Sequence, residues 1–117
     1  MPNNEQLFKA KIVQMILMGN AEGALKALSE FYKVGTPHLK VGMPKKHSKN
    51  IGCYVSKTKT IHVKDREKLC NPFVILHEFY HHLRTQHGKH KGTEKYANKF
   101  AMDYIKAFRD SRKHFYK

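Results

Sequence analysis

Asn71-Pro72-Phe73-Val74-Ile75-Leu76-His77-Glu78-Phe79-Tyr80-His81-His82-Leu83 is the stretch on which the reading of this chain turns. Asn71 can accept a hydrogen bond at a helix N-cap, and Pro72 is tolerated at the first helical position because its missing N–H has no partner there anyway. Phe73, Val74, Ile75, Leu76, Phe79, Tyr80 and Leu83 leave few positions for solvent, so a buried helix is expected, running to Arg84 or Gln86 and stopping near Gly88. His77 and His81 stand four residues apart, which puts both imidazoles on one face about one turn from each other. Two imidazoles at that spacing can share one tetrahedral Zn²⁺. Glu78, next to the first of them, is placed to take a proton from a water that the ion acidifies. His82 points about 100° away from His81 on such a helix and is not expected to reach the same ion.

Two helical histidines leave a coordination position to fill. The last helix is expected to begin around Thr93 and continue toward Lys113, with Ala97, Phe100, Ala101, Tyr104, Ile105 and Phe108 as its apolar stripe. Glu94 stands three residues before Ala97 and seven before Ala101, at the start of that stripe. A carboxylate facing a core is costly unless compensated, and a metal ion compensates it. Glu94 is therefore the preferred third ligand, and Asn98, four residues on, can orient a ligand from behind. His87 competes: it lies ten residues after His77, the third-histidine spacing of the metzincin signature. That pattern needs Gly midway to turn the chain, and Arg84 stands there. His87 and His90 read as loop histidines.

Working outward from this core, the first third reads as two helices. Leu7, Phe8, Ile12, Met15 and Ile16 recur at helical spacing up to Gly19-Asn20. Ala24, Leu25, Leu28, Phe31 and Tyr32 repeat the pattern up to Gly35-Thr36-Pro37. A short extended piece, His38 to Val41, and a basic loop, Pro44 to Asn50, follow. From Ile51 to Val63 alternation takes over: Ile51, Cys53 and Val55, a turn at Ser56-Lys57-Thr58-Lys59, then Ile61 and Val63. This reads as a β-hairpin with one buried face. The expectation is an α+β domain with two N-terminal helices, a small, mostly antiparallel sheet, the histidine-bearing helix and a C-terminal helix, all within one domain spanning residues 1–117.

At this point the residues resemble the ImmA/IrrE family of zinc metallopeptidases. The resemblance covers roughly Gly52 to Ile105. It rests on the hairpin Gly52-Cys53-Tyr54 with Ile61-His62-Val63, on His77-Glu78-Phe79-Tyr80-His81-His82, and on Glu94-x-x-Ala97-Asn98-x-Phe100-Ala101. It implies a minimal zincin fold, His77, His81 and Glu94 as zinc ligands, Glu78 as general base or acid, and a peptide substrate added as a strand to the sheet edge. It also implies an association with DNA-binding regulators. The sequence departs from the family in a short, basic tract between His81 and Glu94. It departs again where the run after the second signature is Tyr104-Ile105-Lys106-Ala107.

Charge bears on the choice of partner. Twenty-three Lys and Arg against nine Asp and Glu give a formal net charge of +14, which favours encounter with nucleic acid or an acidic partner. One rival reading is accordingly a basic nucleic-acid-binding protein with a structural or vestigial zinc site. Another is a SprT-like protease acting on DNA-attached proteins, although that family wants a third histidine where this chain offers Glu94. No apolar run approaches the roughly 20 residues of a membrane span, and Met1-Pro2-Asn3-Asn4-Glu5 lacks the order of a secretory signal, so a cytoplasmic location is expected. Cys53 and Cys70, without CxxC spacing, read as ordinary small side chains.

Overall fold

The structure is a computed structural model and describes residues 3–88 and 92–115. Helix α1 spans Asn4–Leu17 and α2 spans Ala21–Tyr32; strand β1 is His38–Val41, β2 is Gly52–Val55 and β3 is Thr60–Val63; α3 is Pro72–Gln86 and α4 is Glu94–Phe115. The fold is α+β, with four helices and one three-stranded sheet in the order β1-β3-β2. Short 3₁₀ turns at Lys45–His47 and Arg66–Cys70 were not foreseen from the sequence. The second is fixed by Asp65, whose side chain accepts from the Lys68 amide at 3.1 Å. Among the described residues no helix is long and apolar enough to cross a membrane.

The sheet is mixed, and this corrects the expectation of a mostly antiparallel one. β2 and β3 form the anticipated antiparallel hairpin, but β1 runs parallel to β3, with Leu39 opposite Ile61 and Val41 opposite Val63. A parallel partner needs a long crossover, and here the stretch 42–59, which contains β2, supplies it. The buried face of the hairpin also differs from the expected Ile51-Cys53-Val55 set. The residues facing the helices are Gly52 and Tyr54, cross-paired with Val63 and Ile61, while Ile51 is half exposed. Tyr54 tolerates the core because its hydroxyl finds a partner there.

That partner is His82. Its Nε2 lies 2.7 Å from the Gly35 carbonyl, which can only accept, so Nε2 carries the proton and Nδ1 accepts from the Tyr54 hydroxyl at 2.8 Å. One imidazole thus ties α3 to β2 and to the connection between α2 and β1. On the helical side, Ala97 and Ala101 let α4 lie close against α3, and Tyr104 meets Tyr32 hydroxyl to hydroxyl at 2.6 Å. Ile12, Val13 and Ile16 of α1 and Leu25 and Leu28 of α2 complete the core with Ile75, Leu76 and Phe79. Neither cysteine is in a disulfide; Cys53 is buried and Cys70 exposed.

Burial holds His82 below the ordinary histidine value of 6.5, with the Lys59 charge adding to this and the Gly35 hydrogen bond opposing it. On acidification the unfolded chain takes up the proton first, so the His82 contribution is complete above about pH 6.5 and falls away below it. His82→Gln is expected to cost about 1–3 kcal/mol at neutral pH through lost buried hydrogen bonds. The gap between the two proteins should narrow as pH drops from about 7 to about 5, read by urea denaturation across that range.

Candidate metal centre

Helix α3 forms where the sequence places it. The Asn71 side chain accepts from the Val74 amide at 3.2 Å, Pro72 opens the helix, and His87 and Gly88 end it, Gly88 with a φ of 71°. Val74, Ile75, Leu76, Phe79, His81 and His82 are buried, which leaves the His77–His81 face looking toward the start of α4. Their rings meet edge to face with centroids 5.1 Å apart, as a one-turn spacing requires.

The amino end of α4 closes on that face. The Thr93 side chain accepts from the Tyr96 amide at 3.2 Å as an N-cap, so Glu94 is the first helical residue. Ahead of it, Gly92 holds a φ of 89°, and a Cβ there would lie 2.6 Å from the Tyr80 ring, so a side chain is excluded on both counts. From this position one Glu94 oxygen, Oε2, lies 2.9 Å from His77 Nε2 and 2.8 Å from His81 Nε2. Asn98, one turn on, places Oδ1 2.9 Å from His77 Nδ1. The amide oxygen accepts, so Nδ1 carries a ring proton, and Nε2 faces the same point as Glu94. Two imidazole nitrogens and a carboxylate oxygen thus converge where a cation is called for.

Glu78 stands beside this group with a side chain only 9% exposed, its Oε2 3.9 Å from His77 Nε2. The donor atoms of His77, Glu78 and His81 all lie within 4.8 Å of one another, so this group can hold a metal ion. Two atoms bound to one tetrahedral zinc at about 2.1 Å are about 3.4 Å apart. The Glu94 contacts, at 2.9 and 2.8 Å, are hydrogen-bond distances shorter than that separation, and the Glu78 contact, at 3.9 Å, is longer, so either carboxylate would shift by about half an ångström to share an ion with the imidazoles. Partial desolvation pushes the Glu94 carboxyl up, but the His81 hydrogen bond and the charges of both imidazoles outweigh it and hold the carboxyl below its ordinary value.

The sequence residues His77, Glu78, His81, Glu94 and Asn98 are therefore brought together, but one premise about them fails. Glu94 does not face the core: its side chain is 76% exposed. The two imidazoles, not burial, draw it in. His87 sits exposed at the carboxyl end of α3, and His90 lies outside the described residues. The Tyr54 hydroxyl is committed to His82 and does not reach this group.

Gly52 is a position beside this group whose closeness to α3 the residue pattern did not single out. The outer strand β2 passes so close to α3 that a Cβ on Gly52 would stand 2.7 Å from Val74 Cγ1 and 3.5 Å from Glu78 Oε2. The near approach sets the wall of a cleft of about 240 Å³ lined by Asn50, Ile51, Gly52, Phe73, His77 and Glu78 among others. A glycine inside an alternating strand is the available signal for such an approach. No family model matches the chain, and neither the curated proteins nor the solved structures contain a match to it.

Val74 is β-branched and stiff on its helix, so it cannot swing clear of an added methyl group. Gly52→Ala is expected to destabilise the fold by about 1–3 kcal/mol, with a lower urea midpoint, while an alanine at the exposed Ile51 is expected to change it by less than about 0.5 kcal/mol.

Proposed function

We propose that the chain is a zinc-dependent metallopeptidase of minimal zincin type, related to the ImmA/IrrE peptidases, with His77, His81 and Glu94 holding the ion. The observation that carries this reading is the single Glu94 oxygen shared by both imidazoles beside the buried Glu78. When bound, zinc supplies a Lewis acid that acidifies water and polarises a carbonyl. Glu78 takes the proton from the attacking water and passes it to the leaving amine. Asn98 acts through His77, fixing the tautomer that leaves Nε2 unprotonated.

The cleft supports a peptide substrate. It opens at β2, an outer strand of the sheet, whose backbone can pair with an extended chain and lead it past Glu78. A purely structural metal site fills its four positions with protein ligands and has no use for a buried carboxylate beside them. The formal charge of +14 supports substrates that are themselves acidic or associated with nucleic acid in the cytoplasm.

Elemental analysis of protein purified without chelator should find one zinc per chain; no zinc, and no uptake on addition, overturns the reading. Glu78→Gln should keep the zinc and lose about 10²–10⁴-fold in rate, measured by cleavage of β-casein.

The ligand set has its own test, a competitive chelator titration. Asn98→Ala should weaken zinc binding by about 10–100-fold, Glu94→Ala by more than that, and His87→Ala hardly at all. A large loss in His87→Ala with none in Glu94→Ala would make the site a three-histidine one.

A further inference from the structure

Two cavities of the described residues lie away from the His77–His81 cleft, along the opposite outer strand of the sheet. One of about 820 Å³ is bounded by Glu22, Leu25 and Lys26 of α2, by Thr36 to Lys40, and by Thr58 and Thr60. A second of about 220 Å³ continues it past Asn20, Ala21, Leu39, Val41 and Leu69, and the two share Glu22 and Leu39. Together they make one groove running the length of β1, between that strand and the first half of α2.

The wall of the groove is an unpaired strand edge. The His38 amide bonds to the Lys59 carbonyl at 2.9 Å and the Gly42 amide to the Val63 carbonyl at 2.7 Å, so the even-numbered residues of β1 face β3. By strand alternation the N–H and C=O of Leu39 and Val41 point into the groove, and neither has a described backbone partner there. Val41 is 47% exposed and Leu39 and Leu69 are half-buried, so the groove has apolar surface for alternate side chains. Lys26 and Lys40 flank it, both exposed and neither in an ion pair among the described residues. Glu22 is the one acid in the lining, and the hairpin turn beside β1 adds the exposed Lys57 and Lys59.

We propose that this groove is a docking site for an extended acidic peptide segment, which adds to β1 as a fourth strand. The free backbone groups of Leu39 and Val41 select a polypeptide over a phosphate chain, and alternate apolar side chains settle on Leu39, Val41 and Leu69. Acidic side chains between them meet Lys26 and Lys40. β3 and β2 separate the groove from Glu78, so the peptide bound here is not the one being cleaved; it is a second hold on a protein partner. The site does not depend on the metal centre or on its chemistry.

The test uses the full chain carrying Glu78→Gln and a fluorescein-labelled seven-residue peptide alternating Val and Glu, followed by anisotropy. Saturable binding is expected. Lys26→Glu with Lys40→Glu should weaken it about tenfold, two exposed charge pairs being reversed. The same peptide with Lys for Glu should not bind, and N-methylation at alternate amides of the Val-Glu peptide should abolish binding. Hydrogen exchange should slow at the Leu39 and Val41 amides in the complex. No binding, equal binding of the N-methylated peptide, or equal binding of polyglutamate or a single-stranded oligonucleotide would overturn strand addition at this edge. Absence of zinc or of proteolysis in the unsubstituted protein would leave these measurements unaffected, so the two readings fail separately.

Discussion

Helix α3 has almost no solvated side, and α1, α2, α4 and the strands β2 and β3 all pack against it. Its apolar face meets α1, α2 and the sheet, and α4 closes over another. Its polar groups are the harder constraint, because a buried imidazole or carboxylate without a partner costs several kcal/mol. His82 is answered by Tyr54 and Gly35, and His77 by Asn98 and Glu94. These partners come from β2, from the connection before β1, and from the first two turns of α4. Satisfying one helix therefore fixes the hairpin, the first strand and the last helix at once. The catalytic reading grows from the same constraint, since the face that cannot be covered with hydrocarbon is the one that gathers ligands.

What was legible in the sequence was local. The apolar run of α3, its Asn-Pro start and its Gly stop are contiguous signals, and the helix appears between them as expected. The pairing of His77 and His81 follows from helical spacing alone. Glu94 was found for a partly mistaken reason: periodicity set it on the core stripe, whereas the N-cap at Thr93 leaves it at the first turn, largely in solvent. The hairpin was placed correctly, with Ile61 and Val63 buried as expected, but the parity of its first strand was reversed. Cys53 and Tyr54 are both buried, on opposite faces, so alternation could not say which parity faces α3. The deciding fact was a contact far along the chain, His82 against Tyr54.

The parallel β1–β3 ladder was out of reach for a similar reason. Pairing direction depends on where the chain returns, and four residues of alternating character look the same in either direction. Close approach at Gly52 is likewise a property of two elements, α3 and β2, although a glycine inside a strand leaves a trace of it. The motif supplied the residue types, and the tertiary structure supplied the distances that bring Glu78, Glu94 and Asn98 to the two imidazoles.

The mixed sheet carries a consequence for the order in which the chain assembles. The β2–β3 hairpin closes across four residues, whereas β1 must wait for a return from Thr60, with eighteen residues between it and Val41. Closing the longer loop costs more conformational entropy, and the reward is a single short ladder at an outer position. The hairpin and α3 thus form the early unit, and β1 is the last strand to dock and the first to leave. In the native protein the lowest-energy opening of the sheet is the peeling of β1, a local fluctuation that leaves the histidine-bearing helix and its hairpin assembled.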